Sequence, residues 1–80
     1  MACFVYIIYS TERNRYYIGQ TENLQQRVQM HRIRKNLGVS DWELKHFEVF
    51  SSRSEAMKRE ASIKARKSRT YIESLFNHSG

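Results

Sequence analysis

The chain has no proline, only three glycines, a single cysteine and no long apolar run, and these shortages exclude several classes of protein. One cysteine can form neither an intramolecular disulfide framework nor a cysteine-based zinc site. A membrane-spanning helix needs roughly 20 consecutive apolar residues, and no stretch approaches that length. The apolar start MACFVYIIYS has no basic segment before it and no small-residue cleavage site after it, which argues against a signal peptide. We therefore expect a protein without intramolecular disulfide bonds, located in a reducing, cytoplasmic compartment.

What remains is a basic chain of 80 residues, short enough for one domain. No linker, repeat or low-complexity tract divides it, so residues 1–80 are predicted to form a single domain. Fourteen Lys and Arg residues against eight Asp and Glu residues give a net charge of +6. This charge favours an anionic partner, with nucleic acid the leading candidate. The alternative is a basic domain whose charge serves only solubility.

Three segments have the composition of β-strands. Residues 3–9 are β-branched and aromatic, and residues 16–18 continue the pattern after a polar loop of about five residues, which predicts a hairpin. Gly19 ends the second strand and indicates a bulge or a close backbone approach. Residues 42–50 alternate between apolar and polar side chains, which predicts a third strand with a bulge near His46.

Helix signals occupy the rest of the chain. Thr21 is a candidate cap for a helix that continues to about Lys35. Ser52 and Glu55 match a capping box, which begins a second helix that continues to about Lys67. A last helix reaches Phe76. The predicted fold class is α+β, with a small three-stranded antiparallel sheet flanked by helices in the order β-β-α-β-α-α.

Glu60 is the most informative residue of the second helix. The apolar positions there are Ala56, Met57, Ala61 and Ile63, and Glu60 falls on or beside their stripe. A carboxylate in such a place is costly unless it is paired or binds a cation. Two interpretations stay open: an ion pair with a nearby Lys or Arg, and a ligand for a divalent metal ion.

Arg27 and His31 are four residues apart on the first helix and so share one face, at the border of the stripe formed by Leu24 and Val28. They could hold a phosphate, with arginine forming paired hydrogen bonds. They could equally be an ordinary solvated helix edge.

Basic residues are concentrated between positions 53 and 70, where seven Lys and Arg residues stand against two Glu residues. A phosphate backbone could follow part of this segment, and a charged outer helix face is the alternative. The predicted nucleic-acid-binding residues are Lys64, Arg66, Lys67 and Arg69.

Several motifs together resemble the GIY-YIG nuclease superfamily, and in particular its short, stand-alone bacterial members. They are Phe4-Val5-Tyr6, then Tyr17-Ile18-Gly19 about ten residues later, then the segment 23–31, and finally an acid on a later helix. The match extends from about residue 3 to residue 75. The resemblance implies an α/β sandwich on a three-stranded antiparallel sheet.

The resemblance also implies roles. Tyr17 matches the tyrosine of the second motif, the favoured general base, and Tyr6 matches the first-motif tyrosine, which assists. Arg27 would stabilise the phosphate in the transition state, and His31 would assist the active site. Glu60 matches the sole protein ligand of one divalent cation, Mg²⁺ or Mn²⁺. A tyrosine base needs cationic neighbours because its ordinary pKa is about 10, and Arg27, His31 and the metal could supply them.

The match has two further features. Phe4 stands where the family name has its first glycine. Asn77 could correspond to a C-terminal asparagine of some members. No zinc finger, helix-turn-helix or linker accompanies the motifs. The sequence thus predicts a metal-dependent endonuclease directed by nucleic-acid structure or by a partner protein, with DNA favoured over RNA. The alternatives are an inactive nucleic-acid-binding module on the same fold and an adaptor that docks an acidic protein.

Overall fold

The structure, a computed structural model, describes residues 2–76, and a three-stranded antiparallel sheet lies at its centre. The strand order is β2-β1-β3, so the first strand is flanked by the other two. The elements are, in chain order, β1 (Cys3–Ser10), β2 (Arg15–Thr21), α1 (Leu24–Ile33), a 3₁₀ turn (Asn36–Gly38), β3 (Glu43–Phe50), α2 (Arg53–Arg66) and α3 (Arg69–Ser74). This is the predicted α+β fold in the predicted order of strands and helices.

Strand β1 separates two small cores because successive side chains of a strand point to opposite faces. Val5 and Ile7 pack on one face under α2 and α3. Tyr6 and Ile8 pack on the other face, with Val28 of α1. A strand buried on both faces can be apolar and aromatic throughout, which explains the composition of this segment.

The pairing of β1 with β3 contains the predicted bulge. Ile7 pairs with His46, but the next residue, Ile8, pairs with Leu44, so Lys45 is the extra residue. The bulge keeps Leu44 on the α1 side of the sheet, where it joins the core of that face.

Helix α1 is shorter than the sequence indicates. Its cap is Asn23, whose side chain accepts a hydrogen bond from the backbone N–H of Gln26. Thr21 is instead the last residue of β2. The helix ends at Ile33, and Lys35 adopts a left-handed backbone conformation that cannot continue it.

The segment between α1 and β3 folds back over the sheet and closes the core on that side. Trp42, predicted to begin the third strand, lies just before it and is 1 % exposed. Its ring N–H donates to the carbonyl of Asn36 (3.0 Å), while Nε of Arg32 donates to the Trp42 carbonyl (2.7 Å).

Helix α2 begins as predicted, with the Ser52 side chain accepting from the backbone N–H of Glu55. Its apolar stripe is narrower than predicted. Ala56 and Ile63 are fully buried, whereas Met57 and Ala61 are exposed. Since Glu60 lies four residues after Ala56 and three before Ile63, its position is on the inward-facing side of the helix.

Candidate active site

Tyr6 is the central residue of the candidate site. The alternation of β1 directs its side chain to the α1 side of the sheet, where it is only 2 % exposed. Gly19 is its partner across the β1–β2 pair. A Cβ at position 19 would lie 2.5 Å from the Tyr6 hydroxyl oxygen, which is closer than real Cβ atoms come. The close approach predicted at Gly19 is therefore present, and it accommodates the hydroxyl of Tyr6.

The Tyr6 hydroxyl is joined by a hydrogen bond to Nε2 of His31, at 2.9 Å. This bond connects the central strand to helix α1. The rings of Tyr17 and His31 are 4.8 Å apart between centroids, and Trp42 lies 6.3 Å from Tyr17 and 6.4 Å from His31. Tyr17 is 37 % exposed, so this aromatic cluster reaches from the buried hydroxyl to solvent.

Burial raises the pKa of Tyr6 to about 12. The nearby hydroxyl of Tyr17 adds to the rise, the positive charge of Arg27 opposes it and the negative charge of Glu60 supports it. Two consequences follow. Side chains from β2, α1 and α2 all act on this one hydroxyl, and Tyr6 is protonated at neutral pH.

Burial also lowers the pKa of His31, and the charge of Arg27 lowers it further. The imidazole is therefore neutral at neutral pH. His31 is thus unable to supply the positive charge expected of it, but a neutral ring can accept a proton.

Arg27 and His31 line the same cavity, a concave region of about 500 Å³ on the exposed side of α1. Their four-residue spacing places both side chains there, as predicted. Arg27 is exposed, and no ion pair within residues 2–76 involves it. Its guanidinium is thus available to an anion.

Glu60 forms the ion pair that one of the two interpretations of the sequence predicts. One carboxylate oxygen, Oε2, accepts a hydrogen bond from Nζ of Lys64 at 2.7 Å, as an ion pair between neighbouring helical turns. Its side chain is nevertheless only 19 % exposed, and its charge acts on Tyr6. Its second carboxylate oxygen, Oε1, has no partner among the hydrogen bonds and ion pairs within residues 2–76.

The residues present suit a hard divalent cation such as Mg²⁺ or Mn²⁺ better than a softer metal that prefers cysteine or histidine ligands. Within the described part of the chain there is no group of three or more His, Cys, Asp or Glu side chains that could enclose a metal ion. Mg²⁺ typically uses one or two carboxylates and keeps several of its waters. A single half-buried carboxylate such as Glu60 fits that mode of binding.

The four predicted nucleic-acid-binding residues have different surroundings. Lys64 pairs with Glu60. Arg66 lies over the ring of Tyr71, at 4.4 Å from its centroid. Arg69 donates to the Asn14 side chain (2.7 Å) and pairs with Glu73. Lys67 is exposed and follows the last residue of α2 as its C-terminal cap.

Two residues of this region were not singled out from the sequence. Trp42 completes the aromatic cluster, and Asn36 lines the cavity of Arg27. Both belong to the segment between α1 and β3, whose path depends on tertiary contacts. The presence of the only tryptophan was the one available signal. Asn77 lies outside the described residues.

Comparisons with known proteins agree with this geometry. The model of the GIY-YIG catalytic domain matches residues 2–72. The solution structure of a UPF0213 protein from Bacillus halodurans is similar with a TM-score of 0.60 and 29 % identity, and the similarity covers 94 % of this chain and 82 % of that one. A comparison with curated proteins gave no significant match.

The sheet and helices form an α+β domain, and the family model matches most of its length. The chain therefore belongs to the GIY-YIG family. Membership suggests endonuclease activity on a nucleic-acid substrate. Nucleases of this family are generally dependent on a divalent metal ion. Among residues 2–76, none of the helices is long and apolar enough to cross a membrane.

Proposed function

We propose that the protein is a metal-dependent endonuclease that hydrolyses phosphodiester bonds in nucleic acid, with DNA favoured over RNA. One observation carries the proposal: the hydroxyl of Tyr6 is bonded to His31 and lies within the electrostatic influence of Arg27, Glu60 and Tyr17. These are the five residues that the family resemblance implies. A binding module has no need for a carboxylate near such a cluster, because an acid repels phosphate.

Each residue has a distinct part in the proposed reaction. Arg27 binds the scissile phosphate and stabilises the negative charge that develops on its oxygens. Tyr17, the exposed tyrosine, contacts the attacking water and, acting as a phenolate, takes its proton. His31, neutral and 4.8 Å from the Tyr17 ring between centroids, packs against that ring and positions it. Tyr6 is buried and protonated, so it acts as a positioning residue that orients the His31 ring.

Glu60 would hold the cation. A bound Mg²⁺ or Mn²⁺ would supply charge stabilisation to the phosphate and the leaving oxygen. Lys64 holds one oxygen of the Glu60 carboxylate on the exposed side, which fixes its orientation. This arrangement can be tested without activity, since Mn²⁺ broadens the NMR signals of nearby residues and Glu60→Gln would abolish that broadening.

Target choice in this proposal comes from nucleic-acid structure or from a partner protein rather than from base sequence. The cavity beside Arg27 presents groups that suit a phosphate, and base reading would need an element inserted in a groove. We therefore expect branched or single-stranded DNA to be cut in preference to a particular sequence.

The test is cleavage of labelled branched, single-stranded and duplex DNA, and of RNA, with Mg²⁺ or Mn²⁺. We expect Arg27→Gln and Glu60→Gln to lower the rate by at least about 100-fold, the size typical of losing one transition-state contact. Arg53→Gln and Glu22→Gln are matched controls, since they remove the same charges at exposed positions outside the cluster. Absence of metal-dependent cleavage in the wild-type protein would overturn the proposal.

A second candidate is a nucleic-acid-binding module without catalysis, and the ion pair of Glu60 with Lys64 favours it. In that case the role of Glu60 is structural, as the partner of Lys64 within α2. Binding would then survive Glu60→Gln unchanged, no metal-dependent cleavage would be seen, and Mn²⁺ would broaden no signals near position 60.

A further inference from the structure

The cavity that contains Arg27 continues along α1 beyond the candidate active site. Its other lining residues include Arg34 and Asn36, and no acidic residue lines it. We propose that this continuation is a second phosphate subsite, in which Arg34 and Asn36 hold the phosphate next to the one that is cleaved. The inference rests on the proposed function, since it extends the same substrate along the same surface.

Arg34 is placed by helical geometry. It lies seven positions after Arg27, which corresponds to two turns and about 10 Å along the axis. Its backbone, at φ −85° and ψ 2°, remains close to the helix path. The two side chains thus begin on one side of the helix, two turns apart, so each can hold its own phosphate.

Within residues 2–76, the Arg34 side chain forms neither an ion pair nor a hydrogen bond, whereas several other arginines are bound within the fold. Arg13 donates to the carbonyl of Leu37, Arg32 to that of Trp42, and Arg59 to the carboxylate of Glu48. Those guanidiniums stabilise the fold. Arg27 and Arg34 share a cavity instead, which points to a ligand.

Asn36 supplies an independent observation. Its side-chain nitrogen, Nδ2, is the one buried side-chain polar atom in the described part of the chain that lacks a hydrogen-bond partner. Its backbone is held in place, because its carbonyl accepts from the Trp42 ring. A buried donor without an acceptor is costly. An oxygen of a bound phosphate would remove that cost.

The chemistry of the lining selects the class of ligand. Two guanidinium groups and an amide N–H₂ are donors, His31 is neutral, and no carboxylate competes. The volume of about 500 Å³ is within the range of small-ligand sites and accommodates a nucleotide. A polynucleotide strand meets all these conditions, with one phosphate at Arg27 and its neighbour at Arg34.

The experiment measures binding of a short fluorescent single-stranded DNA with all metal chelated, so that cleavage does not interfere. We expect Arg34→Gln to weaken binding about tenfold and to reduce the slope of log affinity against log salt by about 1. Arg53→Gln, the matched control outside the cavity, should change affinity only slightly. Equal effects of the two variants would overturn the inference.

Asn36 has its own readout. In a ¹⁵N NMR titration with the same DNA, we expect the side-chain N–H₂ signal of Asn36 to shift as binding proceeds, and Asn36→Ala to weaken binding. Asn36→Ala retains the backbone carbonyl that holds Trp42, so it should remain folded. An unmoved Asn36 signal alongside shifted Arg27 signals would overturn the subsite and indicate that only water occupies it.

The outcomes separate the two proposals. If the wild-type protein cleaves nucleic acid and Arg34→Gln binds DNA as tightly as the wild type, the endonuclease proposal is supported and the subsite is overturned. Arg34-dependent binding without cleavage under any metal condition would support the subsite and overturn the endonuclease.

Discussion

At the scale of single residues, Tyr6 and Gly19 form one unit. The tyrosine hydroxyl occupies the space where any larger residue at position 19 would place its Cβ. The glycine is therefore required by the tyrosine rather than by backbone conformation. Any change at position 19 displaces the hydroxyl that bonds His31.

We expect Gly19→Ala to destabilise the protein by about 1–3 kcal/mol, the usual cost of overpacking, because the new Cβ meets both the hydroxyl oxygen and the ring carbon that carries it, at 2.5 and 2.7 Å. Urea unfolding followed by circular dichroism measures the loss. Loss of the His31 contact should also move the His31 NMR signals.

Tyr6→Phe provides the matched test of cause. Removing the hydroxyl leaves the ring carbon in place, so the double variant should recover part, though not all, of the stability lost in Gly19→Ala. Purely additive effects would show that the two residues do not clash and that position 19 is sensitive for another reason.

The sequence predicts a close approach at Gly19 but not that Tyr6 makes it, because only the signal at Gly19 is local. A Tyr-Ile-Gly segment ending a short strand indicates a close approach, and Arg27 and His31 are placed together by helix spacing alone. Asn36 and Trp42 carry no such signal. Their positions depend on how the segment after α1 returns across the sheet, and no local pattern specifies that path.

At the scale of elements, α2 is attached to the sheet by a polar network as well as by its apolar stripe. Arg59 donates two hydrogen bonds to the Glu48 carboxylate of β3, at 2.8 and 3.0 Å, and a third to the hydroxyl of Tyr71 in α3. His46 contacts the same carboxylate. This network links α2, α3 and β3, and so helps to fix the helix that carries Glu60.

We expect a double-mutant cycle of Glu48→Gln and Arg59→Gln to give a coupling energy of about 1–3 kcal/mol, because the pair is bidentate and half-buried. Each single variant should lower the free energy of unfolding by more than a variant of an exposed ion pair does. The exposed pair of Lys45 with Glu43 is the control cycle, with an expected coupling below about 1 kcal/mol. Similar couplings in the two cycles would contradict a structural role for the network.

Predictions at the scale of elements succeed where one signal dominates. The Ser52 capping box is unambiguous, and α2 begins there. Before α1, Thr21 and Asn23 are both good caps, and the choice depends on how far β2 remains paired with β1. Since Thr21 pairs with Phe4, the helix begins after it. The sequence also predicts a wider buried stripe on α2 than the structure has, because a helix on a small sheet buries only a narrow stripe.

At the scale of the whole molecule, the net charge of +6 divides into two parts. Much of the basic surplus near residues 53–70 takes part in contacts within the fold, as Arg59, Arg66 and Arg69 illustrate. Arg27 in α1 and Arg34 just after it, which line the cavity, have no such pairing within residues 2–76. Composition predicts an anionic partner for the molecule, but only the fold distinguishes the arginines that hold the protein together from those that face a ligand.

The titratable groups also give the molecule a characteristic dependence of stability on pH. The pKa of Glu48 is lowered by the Arg59 hydrogen bonds and that of Asp41 by the Ser10 hydroxyl. Such carboxylates stabilise the fold above their ordinary pKa, and that stability is lost as the pH falls through the folded-state pKa. Burial lowers the pKa of His31, so its protonation destabilises the fold as the pH falls below about 6.5.

Stability at high pH is limited by a group whose pKa is raised in the folded state. Tyr6, with a pKa of about 12, keeps its proton in the folded state while an unfolded tyrosine loses it near pH 10. Between these values the unfolded state binds fewer protons, so stability falls as the pH rises, by on the order of 2 kcal/mol at pH 12. The pKa of Tyr16 is also raised, by burial and by its hydrogen bond to Glu73.

We therefore expect the free energy of unfolding to be highest between about pH 7 and pH 10 and to fall on both sides, as measured by urea denaturation over a pH series. Tyr6→Phe should be less stable throughout but should lose less stability between pH 10 and pH 12, because the group that titrates late is gone. Parallel alkaline limbs for wild type and Tyr6→Phe would contradict the burial of a protonated Tyr6 at the centre of the site.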